Sequence, residues 1–197
     1  MYKICQNGIF KSIQGEGAHT GESAVFIRFF GCNRMPPCSF CDETCKDFQE
    51  MSLNSILEEI KRMEPFSILV LTGGEPTIQP GLDELIEAFH KQHYYVSIET
   101  NGLAAIPANI DWITCSPKQN YVHDQIKNVD ELKFVVADTK ETILKLISEI
   151  TKKVSYKKLF LQPVSNQPES VQTCLELIER HPTYLLSLQI HKLIHIQ

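Results

Sequence analysis

The chain of 197 residues has no apolar run near the length that crosses a bilayer, so a membrane span is not expected. It has no basic surplus either: 19 Lys and Arg stand against 24 Asp and Glu, a formal net charge of −5. Without that surplus there are no counterions to exchange for a phosphate backbone, which argues against a nucleic-acid partner. The pairs Lys152-Lys153 and Lys157-Lys158 read as solvated helix ends rather than a patch. No low-complexity tract, repeat or linker interrupts the chain, and one domain spanning 1–197 is expected at this length. The opening Met1-Tyr-Lys-Ile-Cys-Gln lacks the charged and apolar regions of a signal peptide, which points to a cytoplasmic protein. Its seven cysteines then read as reduced thiols rather than a disulfide framework.

Three of those cysteines are crowded. Cys32, Cys38 and Cys41 lie in one run, Gly31-Cys-Asn-Arg-Met-Pro-Pro-Cys-Ser-Phe-Cys-Asp42, with the spacing C-x5-C-x2-C. Thiolates this close converge on a soft metal, and three of them leave one coordination position for a ligand that is not protein. That suits a 4Fe–4S cluster with an open iron. A structural zinc completed by Cys45 would use four ligands. The cysteines alone leave both readings open. Cys5, Cys115 and Cys174 are isolated in sequence, and Cys174 sits on an apolar helix face as a small hydrophobe.

Short apolar runs alternate with helical stripes. Strands are expected over 24–30, 68–71, 95–99, 112–115, 132–136, 159–162 and 185–188. Helices are expected from Ser52 as N-cap through Leu53, Ile56, Leu57 and Ile60, and along Leu82, Leu85, Ile86 and Phe89. Two more follow Ile143, Leu144, Ile147 and Ile150, after Asp138 or Thr139, and Val171, Cys174, Leu175 and Ile178. Apolar strands separated by helices imply an α/β fold with a parallel sheet buried on both faces. The segment between Glu99 and Trp112, holding Gly102, Pro107 and Asn109, is too broken for a crossover helix. An incomplete βα barrel is therefore expected, with its site at the carboxyl ends of the strands. Cys32 follows the first core strand and falls at that rim.

A second rim motif is Thr72-Gly73-Gly74-Glu75-Pro76, directly after the strand at 68–71. Paired glycines permit positive φ and close backbone approach to a ligand. With the Glu75 carboxylate, they suit an ammonium group. Together with the three-cysteine loop, this motif resembles the radical S-adenosylmethionine (SAM) superfamily, in which three cysteines hold the cluster and the Gly-Gly-Glu segment receives the cofactor's amine. The structural zinc recedes accordingly.

Further pieces narrow the resemblance. Ile13-Gln14-Gly15-Glu16-Gly17, Phe26-Ile-Arg-Phe-Phe-Gly-Cys-Asn33, Glu99-Thr-Asn-Gly102, Ser116-Pro117-Lys118, Gln162-Pro163-Val164 and Leu186-Ser-Leu-Gln-Ile-His-Lys192 together resemble the 7-carboxy-7-deazaguanine synthase family of queuosine and deazapurine biosynthesis. The resemblance implies a lyase of carbon–nitrogen bonds acting on 6-carboxy-5,6,7,8-tetrahydropterin. Hydrogen is abstracted from C6, the ring contracts, and ammonia leaves. It implies Cys32, Cys38 and Cys41 as cluster ligands. It implies Phe40, Cys41, Asp42, Gly73, Gly74, Glu75, Ser116, Pro117, Lys118, Gln162, Pro163, Val164 and Ser165 as SAM contacts. The substrate side maps to Ile13, Gln14, Gly15, Glu16, Arg28, Thr72, His191 and the terminal Gln197. A reducing protein such as flavodoxin or ferredoxin, and a homodimer, are implied as well.

The residue chemistry fits. Arg28 can grip a carboxylate bidentately, and an arginine among Phe26, Ile27, Phe29 and Phe30 needs a buried anionic partner. Glu16 can accept from an amino-pyrimidine edge. Two positions depart from the family. Its first cysteine gap is commonly three residues, whereas here it is five, with Pro36-Pro37 stiffening it. Gly31-Cys32-Asn33 and Phe40-Cys41-Asp42 match the family pattern and argue against the register Cys38, Cys41, Cys45. The family's Mg²⁺-ligating Thr after Cys-Asp is replaced by Glu43, with Thr44 next, so Glu43 or Thr44 is the expected Mg²⁺ ligand. A glycyl-radical enzyme activase is the enzyme alternative, although Gln-Gly-Glu-Gly and Gln-x-His-Lys do not belong to it. A zinc-stabilised binding module is the non-enzyme alternative.

Overall fold

Nine strands and five α-helices carry the architecture of residues 1–43 and 45–196, the part of the chain described by the computed structural model. The chain packs as two units. One is Met1–Ile13 with Glu22–Thr100 and Ile106–Ile113; the other is Gln14–Gly21 with Asn101–Ala105 and the residues from Thr114 onward.

In the first unit β1 (Tyr2–Ile13) lies antiparallel between β2 (Ser23–Phe29) and β3 (Phe48–Met51). β2 then pairs parallel with β4 (Ile68–Gly73), and β4 with β5 (Val96–Thr100). The crossover helices are α1 (Leu53–Lys61) and α2 (Leu82–Lys91). Ser52 caps α1 as expected: its hydroxyl accepts from the Ser55 N–H at 3.1 Å. Ile27, Phe29, Leu69, Leu71 and Ile98 pack with Ile56, Ile60, Leu85 and Phe89 of the helices, all of them fully buried. Burying each such side chain stabilises the fold by roughly 1.5–3 kcal/mol.

In the second unit β7 (Asn128–Val136) pairs parallel with the end of β6 (Trp112–Cys115) and with β8 (Ser155–Pro163), and β8 with β9 (Tyr184–Leu186). Helices α3 (Lys140–Thr151), α4 (Pro168–Arg180) and the short α5 (Ile190–Leu193) complete it. Thr139, not Asp138, caps α3 through the Thr142 N–H. Cys174 is fully buried, and burial pushes its thiol up to about 12.

The fold is the expected mostly parallel α/β type. Among the described residues β3 pairs with β1 in the first unit and β9 with β8 in the second. No helix bridges β5 and β6. Three expectations change. β1 and β3 were not foreseen: β1 is interrupted by a register shift between Ile4 and Ile9, with Asn7 at φ 56°, so its apolar residues fall out of simple alternation. β9 ends at Leu186, short of the expected strand. Lys157 and Lys158 sit on β8, where Lys157 pairs with Asp130 at 2.6 Å, rather than at a helix end. No helix among the described residues is long and apolar enough to cross a membrane.

Candidate active site

The cysteine loop leaves the carboxyl end of β2. Gly31 takes φ 94°, and no helix or strand lies among the described residues between it and β3. Cys32 and Cys41 are exposed, Cys38 is half-buried, and none of the three is in a disulfide. The Cys41 N–H donates to the Cys38 carbonyl at 3.1 Å, closing a turn between two of them. Phe40 is half-buried and Asp42 exposed beside them. Cys45 is not free: it is disulfide-bonded to Cys5, with 5.8 Å between their Cα atoms. The expectation of seven reduced thiols is corrected here. β1 and β3 are adjacent and antiparallel, Cys5 lies opposite Phe48, and Cys45 stands just before that strand. The pairing withdraws the fourth thiol a zinc site would need, and also the third ligand of the alternative register. The donor set left in the loop is three thiols, the number that suits an iron–sulfur cluster with an open iron.

The glycine turn is stitched to the root of this loop. The Gly74 N–H donates to the Phe29 carbonyl at 3.0 Å, and the Glu75 N–H to the Gly31 carbonyl at 2.8 Å. Gly73 has φ 118°, and a Cβ on Gly74 would collide with the Gly31 carbonyl. Only glycine fits there. The Glu75 carboxylate is buried and turned inward. Its Oε1 accepts from the Thr77 N–H at 3.2 Å and from the Thr77 and Thr100 hydroxyls, each at 2.6 Å. In this structure it orders the turn.

Arg28 and Thr72 are cross-strand partners in the β2–β4 register, so their side chains share one face near the strands' carboxyl ends. The Arg28 guanidinium lies 5.3 Å over the ring of Phe10, which itself stacks on Phe26 at 5.1 Å. Its anionic partner is Glu43, with Nε to Oε2 at 3.5 Å, but the pair is not buried as expected: the side chains are 34% and 20% exposed. The other Glu43 oxygen accepts from the Cys45 N–H at 2.8 Å. Thr44 and Gln197 lie outside the described residues. Ile13, half-buried, ends β1 opposite Ser23.

The second unit gathers the other substrate candidates. Gln14 and Gly15 are buried, and the Gln14 side-chain oxygen accepts from the Glu16 N–H at 3.1 Å. The Ile190 N–H donates to the Gly15 carbonyl at 3.0 Å, and a Cβ on Gly15 would strike the His191 ring. Gln-Gly-Glu-Gly and Gln-x-His-Lys, far apart in sequence, thus meet. Glu16 lies between a cation and an amide: Lys133 Nζ is 2.5 Å from Oε2, and Gln189 Nε2 donates to Oε1 at 2.8 Å. Burial pushes the Glu16 carboxyl up, but the Lys133 ammonium, the Gln189 bond and the nearby His191 outweigh it and hold it below the usual carboxylate range. Gly17, at φ 65°, donates its N–H to the Ser187 hydroxyl at 2.9 Å, and the Ala18 N–H reaches the Glu131 carboxylate at 3.0 Å.

Ser116 and Pro117 are buried just past β6, and Lys118 donates to the Ser116 hydroxyl at 2.6 Å. Gln162 and Pro163 are buried and end β8, and the Val164 N–H donates to the Ser170 hydroxyl at 3.0 Å. Ser165 is exposed with φ 47°. The sequence reading missed Glu131, Lys133, Ser187 and Gln189. One signal was present: Lys133 stands inside the apolar run 132–136, where an unpaired charge would be costly.

The model of the radical SAM superfamily matches residues 26–161. Among curated relatives, the 7-carboxy-7-deazaguanine synthase of Bacteroides thetaiotaomicron is 42% identical over 191 residues, covering 97% of each chain. That of Haemophilus influenzae is 38% identical, covering 96% of this chain and 92% of its own. Among solved structures, QueE from Escherichia coli superposes with a TM-score of 0.80 at 26% identity, covering 95% of this chain and 93% of that one.

Proposed function

The chain belongs to the radical SAM superfamily and, within it, to the 7-carboxy-7-deazaguanine synthase family, and on that premise we propose that it converts 6-carboxy-5,6,7,8-tetrahydropterin to 7-carboxy-7-deazaguanine with loss of ammonia. The observation that carries the reading is the junction of the two rim motifs, where Gly74 and Glu75 donate to Phe29 and Gly31 at the root of the three-thiol loop.

In this reading Cys32, Cys38 and Cys41 hold the 4Fe–4S cluster, and the backbone of Gly73 to Glu75 receives the SAM amine. Phe40 to Asp42, Ser116 to Lys118 and Gln162 to Ser165 are further cofactor contacts. Bound together, cluster and SAM supply one-electron cleavage of the sulfonium and hydrogen abstraction from the substrate. The protein's own residues bind and orient. Arg28 grips the substrate carboxylate as a fork, with Phe10 beneath it holding the guanidinium in plane. Thr72 presents its hydroxyl on the same face. Glu16 reads the amino-pyrimidine edge, Gln14 and Gly15 offer backbone groups to it, and His191, Ile13 and Gln197 complete the contacts.

Mg²⁺ fits the hard oxygen donors of Glu43 or Thr44. A substrate carboxylate on Arg28 would take over the cation that Glu43 now faces, leaving that oxygen for the metal. The reading also includes a reducing protein such as flavodoxin or ferredoxin and a homodimer, implied by the family resemblance, and a cytoplasmic location, read from the residues at the N-terminus. Anaerobic incubation of the reconstituted enzyme with the carboxytetrahydropterin, SAM and a reductant tests it. Mass spectrometry should find 7-carboxy-7-deazaguanine. Consumption of SAM with the pterin recovered unchanged would refute it.

A further inference from the structure

The Gln14–Gly17 segment is held by side chains that the reaction itself does not call for. β7 supplies two of them from one face of the strand, Glu131 and Lys133, two positions apart and both buried. Glu131 fixes the backbone through the Ala18 N–H, and its carboxylate fills the space a Cβ on Gly17 would need. Lys133 fixes the side chain, with Nζ 2.5 Å from Glu16 Oε2; its own side chain is 3% exposed, that of Glu16 13%. Gln189, on the other carboxylate oxygen, is clamped to Asn166 by two hydrogen bonds of 2.9 Å and receives Lys192 Nζ at 2.9 Å. An ionised carboxylate has about four acceptor sites. Lys133 and Gln189 take one each, so the partly exposed carboxylate keeps acceptor capacity for a ligand.

A lysine with almost no exposure, in the middle of a strand, is costly unless it answers a charge that matters. We propose that Lys133 is a positioning residue for substrate recognition: its buried ammonium, 2.5 Å from Oε2, holds the Glu16 carboxylate oriented to accept from two adjacent N–H donors of a guanine-like edge. This rests on the function proposed above. The groups facing Glu16 are Lys133 from β7, Gln189 ahead of α5 and His191 of α5; Glu131 lies beyond Gly17, and Lys192 acts through Gln189. Lys133 is the only one of the cations among these that touches the carboxylate in a described hydrogen bond. Without it, burial would push the Glu16 carboxyl up against only Gln189 and His191, and each protonated Glu16 would meet the substrate's N–H groups donor to donor.

The test is steady-state kinetics of the reconstituted holoenzyme with the carboxytetrahydropterin between about pH 6 and 9, a span set by the ordinary carboxylate and lysine ranges. Lys133→Met should raise KM by roughly 10- to 100-fold near neutrality, the worth of a charge-assisted contact, with kcat changed far less. The KM defect should shrink as pH rises and Glu16 ionises, whereas wild-type KM stays flat. Lys133→Arg should restore part of the affinity and the flat profile. If Lys133→Met fails to fold, Glu16→Gln/Lys133→Met removes both charges and should show a raised, pH-independent KM. A pterin analogue lacking the exocyclic amine gives a further arm: it should bind the wild type roughly 10- to 100-fold more weakly than the substrate, and the double variant about equally. A folded Lys133→Met with wild-type KM and a flat profile would overturn the inference. So would a double variant that keeps wild-type KM or still discriminates the amine. Those results arise with a wild type that makes product; a wild type that makes none refutes the proposed function instead, and this inference with it.

Discussion

The cysteine–glycine region of the first unit and the Gln14–Gly17 segment of the second are both held in place, but by different materials. The first is made of backbone. Gly74 and Glu75 bond to Phe29 and Gly31, Cβ atoms are excluded at Gly73 and Gly74, and the three thiols are exposed or half-buried. The second is made of buried side chains, with Glu16 answered by Lys133 and Gln189, and Gly17 and Ala18 held by Ser187 and Glu131. A backbone-built site fails when an atom is added. A charge-built site fails when a charge is left unanswered. Each therefore has its own mode of failure.

The largest effect should come from the thiols. Cys32→Ala, Cys38→Ala and Cys41→Ala should each abolish reconstituted cluster content and activity, while Cys45→Ala, which removes only a disulfide partner of Cys5, should keep both. Iron and sulfide analysis reads this, and a cluster retained in Cys32→Ala but lost in Cys45→Ala would reverse the ligand assignment. Next is Gly74→Ala. The added methyl meets the Gly31 carbonyl, a backbone atom that cannot move aside cheaply, so a loss of about 1–3 kcal/mol in denaturant unfolding is expected, with weakened SAM binding. An alanine variant of wild-type stability and SAM affinity would break the contrast drawn above.

Arg28→Lys should cost about 1.5–3 kcal/mol of substrate binding, roughly ten- to a hundred-fold in KM, because a point charge cannot reproduce a fork. Kinetics unchanged in both Arg28→Lys and Arg28→Ala would remove this arginine from the substrate's surroundings. The smallest effect should be the acid dependence of stability. The Glu16 carboxyl is held below its unfolded value of about 4.3, so its contribution is fully present above that value and is lost as pH falls through the folded one. The advantage of the wild type over Glu16→Gln/Lys133→Met should therefore shrink below about pH 4, as read from urea midpoints at several pH values. A difference independent of pH would show that the pair adds no ionic stability.

The same contrast explains what the sequence discloses. Cys32, Cys38, Cys41 and Gly73 to Glu75 announce themselves because their chemistry lies in local spacing, and the parallel α/β core announces itself through apolar periodicity. The N-cap at Ser52 was legible for the same reason: donor and acceptor are three residues apart. The partners of Glu16 were not, because Lys133 is 117 positions away and Gln189 173 away, and only the folded sheet brings them in. Cys5 and Cys45 were hidden behind β1, whose irregular register masks its alternation and with it the β1–β3 pairing. Arg28 was expected to need a buried anion, and nothing in the spacing says that Glu43 faces it or that the pair stays half-exposed.

The central claim is that this chain directs SAM chemistry at C6 of a carboxylated tetrahydropterin. Its most direct test uses substrate deuterated at C6 in an anaerobic reaction, with mass spectrometry of the 5′-deoxyadenosine formed. The account expects deuterium in the deoxyadenosine and 7-carboxy-7-deazaguanine among the products. Deoxyadenosine free of deuterium, formed at the same rate whether or not the pterin is present, would contradict it.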